Sequence, residues 1–391
     1  MNAESLLPNL FARSLQAFFL LAVLFVVLVP LVAWAERKQA ARAEGRPGIG
    51  GTAILGISLA GFLQPLADAL KLLVKRDPNP PESARGLQGF LPALVLSATV
   101  LAFAAIPFGG RYAFGDASFS LVLADVEAGI LFVFALMALS ALAAVWAGVG
   151  GGSGSRLGTF RLAARSFSGD LALFLALLPM LLIFGSLRLG EMVAWQDSNV
   201  ALLGAMSALA GGDPGLMAVG PGLPAWGILL NPLAFVLVLT AASVRLGLPP
   251  FDAERAEAEL EGGPRGAFSG PGLGLLALAG RLEVLLVAAL VTLIFLGGWT
   301  IPWLSQATLV QAISGLLGDG VANALCLVAH LLTFGCKLVA VVFLELMIRS
   351  ALPRFDHQRT MDLCWKILVP AALLDLAMTA GVLLALGGGG A

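Results

Sequence analysis

The chain has 391 residues, of which 59% are apolar and 12% are charged, and its formal net charge is -1 at pH 7. Its mean hydropathy of +0.94 lies far above that of an ordinary soluble domain. This composition excludes a soluble enzyme held by a single membrane anchor. The net charge says little about partners, because it averages over two surfaces of unlike character.

Eight apolar stretches have about the 20 residues that a helix needs to cross the hydrocarbon core. In chain order they lie at 14–34, 87–107, 121–147, 171–187, 226–244, 273–297, 321–348 and 366–387. The sequence therefore predicts an all-α integral membrane protein with about eight transmembrane helices, forming a single polytopic domain over 1–391. No small-residue cleavage site precedes the basic flank of the first stretch, so we expect that span to be retained.

The basic residues predict the orientation of these helices. Most of the 23 lysines and arginines fall in four predicted loops, 35–86, 148–170, 245–272 and 349–366. Because positively charged loops stay in the cytoplasm, these four are predicted to be cytoplasmic and both termini to face outward. The expected location is a bacterial-type inner (cell) membrane.

The first basic loop, 35–86, contains a short amphipathic segment near 61–76. Its polar residues follow one another at steps of four, three and four, which places them on one face of a helix. These residues are Gln64, Asp68, Lys71 and Lys75. A spanning helix does not readily carry such a stripe, so we predict an interfacial helix that shapes an entrance for an amphipathic or lipid-soluble ligand.

The third basic loop, 245–272, is also strongly acidic. After Pro250 and Phe251 it carries a run of carboxylates. These are Asp252, Glu254, Glu257, Glu259 and Glu261. Such a run is either a solvated acidic helix or, beneath an entrance for quinone or protons, a group that holds and relays protons. The chain ends in a Gly-rich tail at 387–391.

Several charged residues lie within or beside the predicted spans, where a lone charge costs at least about 2.5 kcal/mol. They are Asp125, Glu127, Asp170, Glu283, Lys337, Glu345 and Asp375. Each is a candidate functional residue. Arg281 and Glu283 are two residues apart and point to different helix faces, so each is predicted to need a partner on another helix or subunit.

The sequence lacks the motifs of the common cofactor sites. Cys326, Cys336 and Cys364 form no CxxC or Cys/His metal spacing. No glycine-rich loop has the pattern that binds a nucleotide phosphate. We therefore expect no metal, iron–sulfur cluster, flavin or nicotinamide in this chain, and no catalytic residue of its own.

Several segments follow one another in the order typical of one membrane-protein family. They are Glu36-Arg37 with the basic segment 42–47, LQPLADALK at 63–71, DVEAGIL at 125–131, Arg161 through Asp170, Pro250-Phe251-Asp252 with Glu257 and Glu259, and Leu352-Pro353-Arg354-Phe355 with Trp365-Lys366. On these motifs, residues 30–375 resemble the H-type membrane subunit of NADH-quinone oxidoreductase, the respiratory complex I, whose mitochondrial homologue is subunit 1.

The resemblance implies a membrane subunit that forms part of the quinone-binding chamber and couples quinone reduction to proton translocation. Ubiquinone or menaquinone would be the substrate. The implied partners are the soluble quinone-site subunits, the other membrane-arm subunits and the lipid bilayer, with no nucleic acid. The positions carried over to the quinone site are Arg37, Arg42, Arg46, Gln64, Asp68 and Lys71. Those assigned to the proton path are Asp170, Asp252, Glu257, Glu259 and Glu283.

The chain departs from the family pattern where the family has three carboxylates. SVRLGLP at 243–249 replaces a segment that begins Ala-Glu-x-Asn-Arg, Ala267-Phe268 replaces Glu-Tyr, and Gly280-Arg281 also replaces Glu-Tyr. These departures favour quinone-site and assembly roles over efficient proton transfer. Three alternatives stay open: the membrane subunit of a related ion-translocating hydrogenase, a stand-alone secondary transporter, and a divergent copy retained as a structural anchor.

Overall fold

The computed structural model describes residues 3–46, 48, 53–54, 57–58, 61–75, 85–114, 117–150, 153–197, 199–200, 223–252 and 262–387. Its helices are α1 (Ala3–Ala22), α2 (Val29–Ala43), α3 (Gln64–Val74), α4 (Arg85–Ala102), α5 (Gly129–Val149), α6 (Ser153–Phe184), α7 (Leu189–Gln196), α8 (Gly227–Leu230), α9 (Pro232–Leu246), α10 (Gly263–Gly266), α11 (Gly270–Phe295), α12 (Gln306–Leu317), α13 (Asp319–Ala351), α14 (His357–Asp362) and α15 (Val369–Gly387). Segments of π-helix at Val23–Leu28 and Leu363–Leu368 join α1 to α2 and α14 to α15, and a 3-10 turn at Phe103–Ala105 extends α4.

Short antiparallel hairpins connect some of the helices. The paired strands are β1 (Ala53–Ile54) with β2 (Ile57–Ser58), β3 (Arg111–Phe114) with β4 (Ala117–Ser120), and β5 (Asn199–Val200) with β6 (Leu223–Pro224). The buried Tyr112 of β3 fixes the second hairpin to α13, because its hydroxyl lies 2.7 Å from Nδ1 of His330.

Six helices within the described residues are long and apolar enough to cross a membrane. They run over Arg13–Arg42, Gly129–Val149, Ser155–Phe184, Gly270–Phe295, Asp319–Arg349 and His357–Ala385. Two shorter apolar helices, Gly89–Ala105 and Pro232–Leu246, fall on the remaining two predicted stretches. The prediction of an all-α membrane protein is confirmed, and each of the eight stretches coincides with an apolar helix.

The helix α6 begins much earlier than hydropathy predicts. The sequence suggests a loop at 148–170, whereas the helix already starts at Ser153. Its polar first half is held by packing: the buried Arg165 donates hydrogen bonds to the backbone carbonyls of Val244 and Arg245 at 2.5 and 2.8 Å. A hydropathy average misses this half of the helix because its arginines lower the local value.

The helix α11 lies at the centre of the bundle. Nearly every residue from Val284 to Phe295 is buried, so this part of the helix is enclosed on all sides. It packs against α2, α3, α4, α9 and α13. The span that ends with α15 lies at the other extreme, with 17% of its most apolar stretch buried against 78% for α11. Its open apolar face is the surface expected of a helix at the lipid boundary.

The fifth span is interrupted at Asn231. The helix α8 ends at Leu230 and α9 begins at Pro232, and Asn231 between them has φ -142° and ψ 84°. Its side-chain oxygen accepts a hydrogen bond from the Ala234 amide at 2.9 Å, and its Nδ2 lies 3.0 Å from both carboxylate oxygens of the buried Asp375. Irregular backbone at membrane depth is tolerated where the protein itself satisfies its polar groups.

The predicted amphipathic helix is present as α3. It begins at Gln64 and ends at Val74, and it packs against α2 and α11. Leu70 and Val74 are exposed on its outer side. The residues Gln64 and Asp68 lie on the inner side, where they meet α2.

Candidate functional site

A first cluster of polar side chains joins α2 to α3. Arg37 Nη1 lies 2.6 Å from Asp68 Oδ2, and Gln64 Nε2 donates a hydrogen bond to Asp68 Oδ1 at 3.0 Å. The Arg37 and Asp68 side chains remain 34% and 32% exposed. These three residues form the entrance cluster, and they bring together the two segments to which the resemblance assigns the quinone entrance.

The pKa of the Asp68 carboxyl lies below its ordinary value. Burial by itself raises this pKa, but the hydrogen bonds from Arg37 and Gln64 and the charges of Arg37 and Lys71 outweigh that effect. At neutral pH Asp68 is therefore a carboxylate that accepts hydrogen bonds and holds the Arg37 guanidinium in place.

A further cation, Arg281 of α11, faces the entrance cluster. The charged groups that act on it are Glu36, Arg37 and Asp68. Its Nε has no hydrogen-bond partner among the residues that the structure describes. A guanidinium with a spare donor is suited to bind a carbonyl oxygen or an anion. The opposite charges that act on Arg281, those of Glu36 and Asp68, thus lie on α2 and α3.

The other residues predicted for the quinone site lie farther around α2 and α3. Lys71 is exposed on α3, about one turn from Asp68. Arg42 lines a groove between α2 and α13. Arg46 pairs with Glu44 just beyond the end of α2. The structure therefore leaves Arg42 and Arg46 outside the entrance cluster.

A second cluster lies inside the bundle, where Arg245 of α9 bridges two carboxylates. The Arg245 side chain is only 3% exposed; its Nε lies 2.5 Å from Asp170 Oδ1 and its Nη1 lies 3.3 Å from Glu283 Oε2. Its Nη2 donates a hydrogen bond to the Met137 carbonyl at 3.1 Å. Asp170, Arg245 and Glu283 form the bridge cluster. Two of its residues, Asp170 and Glu283, were predicted for the proton path. The third, Arg245, was predicted only as the first residue of a basic loop.

Hydroxyl groups extend the bridge cluster toward α4. Ser140 donates a hydrogen bond to Glu283 Oε1 at 2.6 Å, and its oxygen lies 3.3 Å from that of Thr99. A hydroxyl both donates and accepts, so it can pass a proton along a line of hydrogen bonds. A continuous polar line therefore crosses five helices, from Thr99 on α4 to Asp170 on α6.

Close packing of the backbone fixes the position of Arg245. A Cβ on Gly169 would lie 2.7 Å from Arg245 Cα, so only glycine lets α6 approach α9 this closely. Gly247 ends α9 with φ +56°, and the Arg165 guanidinium lies against it. The last carbonyls of a helix carry partial negative charge, which favours a cation such as Arg165 at this end of α9.

A cavity of about 360 Å³ lies beside the bridge cluster. Its charged lining residues are Arg165, Arg245, Arg265 and Glu283. A Cβ on Gly280 would lie 3.0 Å from the Arg265 guanidinium, at the position where the resemblance expects a glutamate. Arginine thus lies beside the space of a missing carboxylate, and the cavity is large enough for several water molecules.

The predicted motifs around Asp252 and Phe355 pack on one another. Asp252 is buried, and its Oδ1 lies 3.6 Å from Arg354 Nε. The ring centres of Phe251 and Phe355 are 5.5 Å apart, and the Phe355 amide donates a hydrogen bond to the Pro250 carbonyl at 2.8 Å. Asp252 therefore ties the start of the acidic loop to the segment after α13. The two predicted proton-path residues that lie outside the described residues are Glu257 and Glu259.

The half-buried Lys337 stabilises the end of α11. Its Nζ lies 2.7, 3.1 and 2.7 Å from the carbonyl oxygens of Leu296, Gly298 and Thr300, and 4.5 Å from the ring centre of Trp226. These carbonyls follow the last turn of α11 and have no partner within that helix. The contacts give Lys337 a structural role as a cation at a helix C-terminus.

The remaining charged candidates differ in their surroundings. Asp125 and Glu127 precede α5 and pair with Arg111 and Arg188 at 3.5 and 2.8 Å. Glu345 is buried in α13, and neither of its carboxylate oxygens has a hydrogen-bond partner among the described residues. Across the same part of the chain, no group of three or more His, Cys, Asp or Glu side chains could hold a metal ion.

Comparison with known proteins identifies a family. The family model described as NADH dehydrogenase matches residues 15–380. The chain is 32% identical over 372 residues to the H subunit of NADH-quinone oxidoreductase from Thermomicrobium roseum, covering 95% of this chain and 96% of that protein. It is 30% identical over 371 residues to the H subunit of the same enzyme, numbered 1, from Geobacter metallireducens, covering 93% and 95%. The H subunit from Bdellovibrio bacteriovorus is 30% identical over 380 residues, covering 93% and 94%.

Proposed function

The chain belongs to the NADH dehydrogenase family, and from that membership we propose that it is the H subunit of a complex I type NADH-quinone oxidoreductase. It forms part of the quinone-binding chamber and couples quinone reduction to proton translocation, without being catalytic alone. The names of its relatives favour this function over the hydrogenase subunit and the stand-alone transporter.

The observation that carries the quinone-site proposal is the ion pair between Arg37 and Asp68. A quinone has polar ring carbonyls and a long apolar tail, so its site needs a few fixed hydrogen-bond donors beside an apolar passage. The entrance cluster supplies donors from Arg37 and Gln64, and Arg281 adds a spare guanidinium N–H. The outer side of α3 next to them is apolar.

The arginines of this site also suit the chemistry of reduction. Electrons reach a quinone before its protons do, so negative charge develops on the ring oxygens. The guanidinium groups of Arg37 and Arg281 stabilise such charge because they are fixed in place and partly removed from water. Asp68 acts as a positioning residue, since its carboxylate fixes the direction of the Arg37 donors.

We place the proton path of this subunit at the bridge cluster. Arg281 and Glu283 are two positions apart on α11 and face different sides of it, so this helix connects the entrance cluster to the bridge cluster, and a change of charge at one acts on the other through it. The three groups Asp170, Arg245 and Glu283 together carry one net negative charge. Such a coupled set takes up one proton as a unit, with Arg245 neutralising whichever carboxylate stays ionised.

The quinone-site proposal is tested by Asp68→Asn in membrane vesicles that contain the assembled complex. The substitution keeps the shape of the side chain but removes the charge that orients Arg37. We expect quinone reduction by NADH to fall by up to about a hundredfold, as misplacement of a positioned group can cost. Reduction of a water-soluble electron acceptor by NADH, which bypasses the quinone, is expected to stay at the wild-type rate.

The matched control is Asp362→Asn, which removes an exposed carboxylate that pairs with Lys366 at 2.9 Å. This variant is expected to reduce quinone normally. If Asp68→Asn also reduces quinone at the wild-type rate in an intact complex, then the role assigned to the entrance cluster is wrong.

A further inference from the structure

A long groove separates the first span from α13. Its two parts have volumes of about 630 and 310 Å³, and both are lined by Leu28 and Leu338, so they form one continuous groove. The larger part lies toward the end of the bundle where α2 reaches Arg42. Phe343 and Met347 line this part and are 54% and 49% exposed, so the groove is open along its length.

Two cations lie at one end of the groove. Lys38 and Arg42 are four residues apart on α2, and both line its larger part. Among the described residues, neither has a carboxylate partner. Trp34 lies beside them, with its ring centre 5.5 Å from Lys38 Nζ. Basic and tryptophan side chains at one end of an apolar groove are typical of the level at which lipid head groups lie.

The length of the larger part matches one leaflet of a bilayer. From Lys38 to Leu28 the helix rises by about 15 Å, which is half of a hydrocarbon core about 30 Å thick. A head group at Lys38 and Arg42 therefore places the end of an acyl chain near Leu28 and Leu338, where the two parts of the groove join.

We propose that this groove binds an anionic phospholipid. The phosphate group lies between Lys38 and Arg42, and one acyl chain lies against Phe343 and Met347. A helix of another subunit would cover the apolar side chains and would need a carboxylate at one level to compensate the two cations, whereas an anionic phospholipid joins its negative charge to an acyl chain in a single molecule. The site is separate from the entrance cluster, because Arg37 of α2 meets α3 on another side of the helix.

The occupant can be identified by a photoreactive amino acid at position 343 of the complete complex. The complex is placed in vesicles made of equal amounts of phosphatidylglycerol and phosphatidylcholine, irradiated, purified in detergent and analysed by mass spectrometry. The same amino acid at position 367, which is 57% exposed in the last span, reports contact with bulk lipid. We expect adducts at 343 to be enriched in phosphatidylglycerol relative to adducts at 367.

Charge variants test the head-group site. In the complex labelled at 343, Lys38→Gln or Arg42→Gln is expected to lower the enrichment in phosphatidylglycerol by about fivefold for each charge removed. The control is Arg359→Gln, which removes an exposed arginine at the start of the last span. This control is expected to leave the enrichment unchanged.

A steric variant tests the chain end of the site. Gly335 lines the groove, and a Cβ there meets no atom within 4 Å, so the side chain of Gly335→Leu starts in open space and occupies the region of the chain end. Its expected effect is a lower yield of lipid adduct at 343. Gly381 of α15 is equally open, and Gly381→Leu is the matched control.

Three outcomes would overturn the proposal. The first is an equal ratio of the two lipids in the adducts at 343 and 367. The second is an adduct at 343 with a peptide of another subunit, and the third is an adduct with quinone. None of these outcomes depends on quinone reductase activity, so they leave the proposed function to its own test.

Discussion

The buried Arg245 opposes two carboxylates that are only 21% and 15% exposed with one positive charge, so the bridge cluster depends on it. Removing the arginine leaves Asp170 and Glu283 without their common partner, and breaking a buried pair in this way typically costs about 3–5 kcal/mol. We expect Arg245→Gln to lower strongly the thermal stability of the detergent-solubilised complex. The double variant Arg245→Gln with Glu283→Gln is expected to recover part of the loss, because it also removes one of the two negative charges.

The control for this prediction is Arg188→Gln. Arg188 also contacts two carboxylates, but its partners Glu127 and Glu191 are 87% and 57% exposed. Exposed ion pairs contribute about 1 kcal/mol or less. Equal losses of stability in Arg188→Gln and Arg245→Gln would contradict the view that burial gives the bridge cluster its importance.

The entrance cluster predicts a change in pH dependence. Burial raises the pKa of Asp68, whereas the hydrogen bonds and charges of Arg37, Gln64 and Lys71 lower it, so Lys71→Gln raises the pKa of Asp68 while the ion pair with Arg37 stays in place. A carboxyl with a lowered pKa adds stability that is fully present above its unfolded-state pKa and is lost as the pH falls through the folded-state value. The ionised form of Asp68 therefore persists to lower pH in wild type than in the variant.

We expect the acid limb of the quinone-reduction profile to move to higher pH in Lys71→Gln, because Asp68 then loses the charge that orients Arg37 at a higher pH. The measurement is the rate of quinone reduction across the acid range in vesicles, normalised to reduction of a water-soluble acceptor. An acid limb at the wild-type position in Lys71→Gln would show that ionised Asp68 is not what the rate depends on. Arg359→Gln supplies a control of the same charge change on an exposed arginine.

At the scale of elements, local sequence patterns predicted the features of a helix that are determined by its own residues. The helices of the eight apolar stretches and the amphipathic helix α3 were predicted correctly because hydropathy and helical periodicity report the environment of each segment directly. The sequence did not predict the start of α6 at Ser153 or the break at Asn231. Both depend on partners far along the chain: Arg165 is satisfied by the end of α9, and Asn231 by Asp375.

The interrupted span gives a prediction about Asn231. Asn231→Leu removes the cap of α9 and leaves the carboxylate of Asp375 buried without its amide donor. Loss of a cap costs about 1 kcal/mol, and an unsatisfied buried acceptor about 1–3 kcal/mol more. We expect a clear loss of thermal stability in the solubilised complex, and a smaller loss when Asp375→Leu is added, because no polar group is then left without a partner.

A matched control lies at the start of α13. Asn323 is also buried, but its Nδ2 donates to the Asp319 backbone carbonyl at 3.0 Å and to no carboxylate. Asn323→Ala is expected to cost less than Asn231→Leu. If Asp375→Leu fails to recover any stability in the Asn231→Leu background, then the pair does not explain how the break is tolerated.

At the scale of the whole molecule, the charged groups lie along one route through the bundle. The entrance cluster lies between α2 and α3, Arg281 and Glu283 follow on α11, and Arg245 continues the route to Asp170 on α6. Sequence reasoning supplied the carboxylates but not Arg245, because its place in an apolar helix next to a basic loop suggested a loop residue. The role of Arg245 follows from contacts that join α9 to helices far from it in the chain.

This route leads to a prediction about proton transfer. Asp170 and Glu283 share Arg245, so neutralising either one leaves a balanced ion pair and removes the net negative charge that accepts the proton. We therefore expect Asp170→Asn and Glu283→Gln to assemble, to reduce quinone near the wild-type rate, and to show the same fall in protons translocated per electron. The measurement compares proton uptake with NADH oxidation in the same vesicles, and Glu127→Gln, which removes an exposed carboxylate, serves as the control. A wild-type ratio in both variants would place the proton path outside the bridge cluster, and a fall in only one would mean that the two carboxylates do not act as a unit.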